Sequence, residues 1–529
     1  MKKLIQTYPV EILFCSLFLS LAVFLNLQFL EGANINHIIA GHDEYLTVRE
    51  VYSIINPLSW KHCMLAIISG DILYYGRVMF YTDALFAYIP YKIWGIGGMV
   101  YAIRIIHSIW ILISFLILNK LFIKTNWNKF LFLFGSAGVF YSIYFVQMPK
   151  PEPLQFLFIA LFLRGMIKNN YAFGKYYLWL GLALATKINV LLILPFMFLL
   201  PLFIKDSSGI KTKLQSGIKA LIWFLVGFLI GIPCLLLTPI RPIYLKAYIH
   251  ETISGTSRSY DNPNLTFIEW LESGFGGNYL GSHFLAYIFL FLAFILAIYT
   301  LQKYLKAKDK LVLPAFIISS AGLILMLSVM ILTKRLWPHY LWTGFVLTWL
   351  SFNIFTQLNI NGDLKKFSLG VLSLFFAVSA FAFYGKELPK IISRDKTNEM
   401  LIIKKESAQL YQYLESNFKD IVIGIDGSVF YPYRHFIHSG PYHPFASERP
   451  RTASTIIKLY SDQPALIWEC EVVVFKDRYP PLLKSSPTTL KPEDVIKLNS
   501  IFETQTKSNF ILQTKIGKYW IYKRINEIK

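Results

Sequence analysis

The chain has 529 residues, 55% of them hydrophobic and 16% charged, with a formal net charge of +21. Soluble domains carry roughly 25% charged residues, and the mean hydropathy here is +0.48, so composition excludes an ordinary soluble protein and points to a membrane protein. The positive charge does not mark a nucleic-acid partner, because the lysines sit in short loops between apolar runs and form no continuous basic face.

Lys2 and Lys3 precede an apolar run of about 20 residues, the length that crosses a bilayer, with no small-residue cleavage site, which predicts a retained signal anchor. Apolar stretches recur down to about residue 385, and eleven spans are expected at about 11–30, 100–119, 130–147, 153–167, 176–186, 188–204, 219–238, 283–302, 312–333, 341–357 and 368–385. The fifth is too short to cross fully and is expected to stop partway, packed in protein. Lys120, Lys124 and Lys129 share one connection; Arg164, Lys168 and Lys175 share another; Lys205, Lys211, Lys213 and Lys219 a third. Lys303, Lys306, Lys308 and Lys310, then Lys365 and Lys366, complete a series that falls on the same side as Lys2 and Lys3. The positive-inside rule makes that side cytoplasmic. The outer side then receives residues 31–99, 147–153, 239–282, 334–340 and the tail from 386.

Within the first outer loop, "RVMFYTDALFAYIPYKIWG" (77–95) is amphipathic and aromatic with Asp83 and Lys92, and is expected to lie along the interface. The tail has the composition of a small α/β domain. "DIVIGID" (420–426) and "LIWECEVVVFKD" (466–477) have strand patterns, and "PEDVIKLNSIF" (492–502) has a helical one. The expected organisation is a transmembrane module over 1–385 and an extracytoplasmic domain over 386–529. No internal repeat, P-loop, zinc pattern or nucleophile elbow is present. The four cysteines (Cys15, Cys63, Cys234, Cys470) have no metal spacing, and two lie in apolar runs, which argues against a disulfide framework.

The polar residues hardest to explain as solvated loop collect on the outer face. They are His42, Asp43 and Glu44 in "GHDEYLT"; Lys150 and Glu152 in "QMPKPEPLQF"; Lys187 in "GLALATKINV"; Arg241 in "TPIRPIY"; and Lys334, Arg335, His339 and Tyr340 in "TKRLWPHYLW". Each has a plainer reading. Acids beside a membrane end are commonly solvated, Glu152 suits a helix N-terminus, and Lys187 can snorkel to the interface. Arg241, Lys334 and Arg335 suit head-group anchoring, and His339 and Tyr340 an aromatic belt. An ionisable residue inside an apolar run is nevertheless a functional candidate by default. Together, carboxylates and cations at one membrane face suit a reaction of an anionic lipid-linked reactant. A carboxylate takes a proton from an acceptor hydroxyl, partial burial makes a carboxylate a better base, and cations stabilise a departing phosphate.

An N-terminal membrane helix, "HDEY" in the first outer loop, the aromatic "YYGRVMFY" (74–81), a second acid in "KPEPL" and then "GLALATK" follow one another in order. This series resembles the GT-C superfamily of polytopic glycosyltransferases, in the branch of protein O-mannosyltransferases and lipid A aminoarabinose transferases. The likeness runs over roughly residues 1–345 and lies in order and topology more than in identity. It implies an α-helical polytopic fold of about eleven transmembrane helices and transfer of a sugar from a polyprenyl-phosphate donor with inversion. Asp43 would be the general base. Glu152 would position the acceptor, or hold a divalent metal ion where one takes part. Lys187, Arg241, Arg77 and Lys150 would hold the donor phosphate. The family often has Asp with a nearby Arg where this chain has Glu152 and Lys150, and a His-Pro-Pro-Leu-like element where "YYGRVMFY" stands. Those departures leave sugar and acceptor (glycan, lipid or protein) open. The rival readings are a lipid or glycan transporter, with midplane sites on broken helices and internal repeats; a glycan ligase or polymerase; and a non-catalytic scaffold, which leaves the acid of the 147–153 loop unexplained.

Overall fold

A computed structural model of the chain describes residues 6–27, 42–57, 60–68, 76–204, 209–236, 241, 266–307, 312–333, 338–358, 362–389, 398–418, 421, 423–425, 436–438, 470–476 and 509–525. The helices come in chain order: α1 (Pro9–Asn26), α2 (His42–Ile55), α3 (Trp60–Ile68), α4 (Arg77–Phe122), α5 (Asn126–Ala137), α6 (Phe140–Gln147), α7 (Glu152–Lys168), α8 (Tyr177–Thr186), α9 (Leu194–Phe203), α10 (Ile210–Gly231), α11 (His283–Ala307), α12 (Leu313–Leu332), α13 (Trp342–Phe355), α14 (Gly362–Ala382) and α15 (Asn398–Asn417). A helix stands at each of the eleven expected positions. By length and composition, six of the described helices are sufficient to cross a membrane, or seven when α5 and residues 141–147, bent by 58°, are one broken span. The helices at the expected spans 153–167, 176–186 and 341–357 have 17, 10 and 14 residues and are not among those six.

Apolar residues point two ways, as lipid requires. On α11, Phe284, Phe291 and Ile298 repeat every seven residues and stay exposed, forming a face for hydrocarbon. Along α13 most residues are buried, as expected of an apolar helix inside the bundle. Lipid chains are as apolar as leucine, so helices associate there mainly through close packing of small residues. The parallel pair α8 and α10 shows this. A Cβ on Gly181 would lie 2.0 Å from the Phe224 carbonyl oxygen, and one on Gly227 would lie 2.1 Å from that of Leu178.

Residues 77–95 differ from expectation. α4 breaks at Trp94 and Gly95, where Gly95 takes φ 62°, a left-handed conformation natural to glycine. The two limbs then fold back on one another. Gly98 lies against the Pro90 carbonyl, and His107 Nε2 meets both Asp83 carboxylate oxygens at 3.2 Å. Those residues are 24 apart in sequence, about 36 Å along a straight helix, so the limbs pack antiparallel. Asp83, read as part of a polar interfacial face, is fully buried in this hairpin, while Leu85, Phe86, Ile89 and Ile93 occupy the exposed side.

The tail builds a five-stranded mixed sheet from β1 (Ile423–Ile425), β2 (Phe436–His438), β3 (Val472–Lys476), β4 (Phe510–Ile516) and β5 (Tyr519–Arg524), ordered β2-β1-β3-β5-β4. β1 pairs in parallel with β2 and β3, and β5 pairs antiparallel with β3 and β4. The run "VVVF" is buried on both sides of β3, with Val472 and Val474 in the main core and Val473 and Phe475 against Phe510 and Tyr522. Both expected strands are present in shortened form; the expected helix at 492–502 lies outside the described residues. α15, which the sequence reading did not anticipate, brings Glu415 within electrostatic reach of Tyr52 in α2. Burial pushes the Tyr52 hydroxyl up to about 12, helped by Tyr91 and the Glu415 carboxylate. All four cysteines are free thiols.

Candidate active site

The short loop between α6 and α7 is set from below. Asn26 donates to the Val146 carbonyl at 3.3 Å and accepts from the buried Arg104 at 3.1 Å, which ties the end of α6 to α1 and α4. Pro151 precedes α7 and Glu152 opens it. Glu152 Oε1 accepts from Lys187 and Oε2 has no hydrogen-bond partner among the described residues, so Glu152 is not spent on capping; it stands as an acid at the positive end of a helix.

On the neighbouring helix, α8 ends at Thr186 because Lys187 turns extended, at φ −157° and ψ 136°. A cation at a helix C-terminus is favoured by the same macrodipole. The two helix ends lie side by side, and the Lys187 ammonium donates to Glu152 Oε1. Both side chains are buried, 7% and 1% exposed, so Lys187 is paired inside the protein and does not snorkel. Its ammonium also stands 3.8 Å from the centre of the Tyr340 ring. Glu152 Oε2 is buried without a hydrogen-bond partner among the described residues.

The third side comes from residues 338–341. Trp270 Nε1 donates to the Thr333 carbonyl at 2.6 Å, and the Tyr279 hydroxyl donates to that of Pro338 at 2.7 Å. The π-helical turn Trp270–Leu280 thus holds the end of α12 and the start of this segment. His339 Nε2 comes to 3.7 Å from Glu152 Oε1. Its ring stacks on Tyr144 at 6.2 Å, with Tyr141 and Tyr340 around it. Burial holds His339 well below its ordinary pKa, and the charges of Lys150 and Lys187 push the same way. At neutral pH it is therefore a neutral hydrogen-bonding group. The site is an acid and two buried lysines under an aromatic wall, with one carboxylate oxygen open to a donor.

The structure thus brings together Glu152, Lys187, Lys150, His339 and Tyr340. Arg77 has other partners: it binds Glu50 Oε2 at 2.8 Å, donates to the Ala66 carbonyl and covers the Phe80 ring. That guanidinium links α2, α3 and α4, and its neighbour Gly76 packs on the Ala185 carbonyl, two residues before Lys187. Arg241 is exposed and donates to the Leu235 carbonyl at 2.7 Å. Lys334 and Arg335 lie outside the described residues. His42, Asp43 and Glu44 form the first turn of α2, where the sequence reading had a loop; their side chains lie outside the described ones. Positions 43, 47 and 50 share one stripe of that helix, and Thr47 and Glu50 on it are buried. The sequence reading missed Glu50, Arg104, His107 and Gln155. For Arg104 and His107 the signal was available, since each is an ionisable residue in an apolar run. Among the described residues no group of three or more His, Cys, Asp or Glu comes together as a metal site, and the Lys187 ammonium already occupies Glu152 Oε1, which does not suit a second cation there.

No family model and no curated protein matches the sequence. Among solved structures, ArnT from Cupriavidus metallidurans bound to undecaprenyl phosphate is similar with a TM-score of 0.54 and 10% identity, over 97% of this chain and 98% of that one. The apo state of the same protein is similar with a TM-score of 0.51 and 12% identity over the same shares. What this likeness shows is the fold alone: an ArnT-like arrangement of apolar helices with a small C-terminal mixed sheet.

Proposed function

We propose that the chain is an inverting glycosyltransferase that moves a sugar from a polyprenyl-phosphate carrier to an acceptor at the outer face of the cytoplasmic membrane. The observation that carries this reading is the buried Glu152–Lys187 pair, with its open carboxylate oxygen, in a fold shared end to end with a protein crystallised with undecaprenyl phosphate. Asp43 serves as general base toward the acceptor hydroxyl. Glu152 positions sugar or acceptor through Oε2, and Lys187 and Lys150 hold the donor phosphate and stabilise the charge it gains on leaving. Tyr340, Tyr144 and neutral His339 supply ring faces and hydrogen bonds suited to a carbohydrate. The tail lies on the same outer side, in keeping with Glu415 beside Tyr52.

One observation favours a transporter as the second reading: Lys187 sits at a break between α8 and the 3-10 turn Ile188–Ile193, and transporters bind substrate at broken helices. The two readings separate by mass spectrometry of envelope extracts with and without the gene. Transfer predicts that one polyprenyl-phosphate-linked sugar accumulates without the gene while a surface product loses that sugar. A surface glycan that keeps its composition while an intact lipid-linked species changes sides would overturn the transferase.

A further inference from the structure

Gln155 lies one turn beyond Glu152 on the same face of α7 and is fully buried. Its amide nitrogen donates twice, to the Lys187 carbonyl at 2.6 Å and to the Ala183 carbonyl at 3.1 Å. Ala183 O also accepts from the Lys187 amide, the last bond of α8. Gln155 therefore grips the backbone on both sides of the point where α8 stops and Lys187 turns extended. Its own Oε1 is buried with no partner among the described residues, so both formed bonds run from the amide toward that break.

We infer that Gln155 is a positioning residue, whose amide fixes the break after α8 so that the Lys187 ammonium is delivered to Glu152. α7 thus holds Lys187 at two points one turn apart, its carbonyl through Gln155 and its ammonium through Glu152. Without the amide, the carbonyls of Ala183 and Lys187 lose a buried donor, the end of α8 relaxes, and the ammonium is no longer held on the carboxylate. The geometric part stands on these contacts alone; the consequence for sugar transfer rests on the function proposed above.

A thermal-unfolding cycle in lipid nanodiscs tests the geometric part with no substrate present. Gln155→Leu and Glu152→Gln are each expected to lower Tm, and the double variant is expected to lose clearly less than the two shifts added, because both substitutions release the same lysine. Additive shifts would overturn the inference and leave Gln155 as an ordinary helix-end donor. A kinetic arm reads the consequence on folded Gln155→Leu. The KM for a synthetic polyprenyl-phosphate sugar should rise about tenfold, the worth of one hydrogen bond, with kcat within about twofold. A donor KM unchanged beside a lowered Tm would overturn the role in donor handling. Absence of transfer by the unsubstituted protein would count against the proposed function, while the unfolding cycle would still decide the inference about Gln155.

Discussion

Asp43→Asn is expected to reduce sugar transfer by about 10²–10⁴-fold, the usual contribution of a general base, in protein that still folds and still takes up the lipid-linked donor. Asparagine keeps the size and polarity of the residue and removes its capacity to accept the acceptor's proton. Glu44→Gln is the matched control. It makes the same change of charge in the same first turn of α2, and a smaller loss is expected there. The helix alters the reason for that expectation. On an extended loop the two side chains would point apart; in α2 positions 43 and 44 stand about 100° apart around the helix, so the two substitutions alter different faces of it. Equal losses in both variants would assign the effect to the charge of the helix end. Near-normal turnover by Asp43→Asn would remove Asp43 from the chemistry. Purified variants in nanodiscs, assayed for initial rate and for donor binding separately, give the comparison.

Glu152→Gln is the second large effect, and it has two parts. Removing the carboxylate leaves the Lys187 ammonium buried without its counter-charge, and breaking one side of a buried pair costs about 3–5 kcal/mol. Lys187→Met should cost a similar amount by stranding the carboxylate. The double variant Glu152→Gln with Lys187→Met should recover most of the stability, since no buried charge is then unpaired. Transfer should not recover with it, because the open Oε2 and the phosphate-holding cation are both gone. Thermal unfolding and initial rates on the same preparations separate the two parts. A double variant that is stable and also transfers at the parent rate would make the pair a structural feature only.

What the sequence made legible follows from how membranes restrict proteins. Spans need long apolar runs and loops sort their lysines by side, so the positions of the membrane helices could be read directly. Lys187 stood out because a charge in an apolar run requires a reason, and the structure supplies one in Glu152, at the start of α7 and 35 residues earlier. Pairings of that kind depend on which helices become neighbours, which periodicity does not state. Arg77 shows the same limit from the other side. As a cation in the first outer loop it matched the expected phosphate-holding group, yet Glu50 takes its guanidinium. The hairpin of α4 was hidden because 77–93 looks amphipathic whether its polar side meets head groups or His107; only the left-handed Gly95 and the contact of Gly98 with Pro90 decide. In the tail, β4 and β5 alternate too weakly to be found, and Gly517 at φ 55° makes the turn between them.

Transfer by the purified protein tests the central claim most directly. The full chain in nanodiscs is mixed with polyprenyl-phosphate sugars, one sugar at a time, and an extract of envelope acceptors, and both lipid and product are followed by mass spectrometry. The account predicts that one donor class disappears with release of free polyprenyl phosphate and an equal gain of that sugar on an acceptor, and that Asp43→Asn slows both by about 10²–10⁴-fold. Intact donors throughout, under conditions in which the protein is folded and binds polyprenyl phosphate, would contradict it.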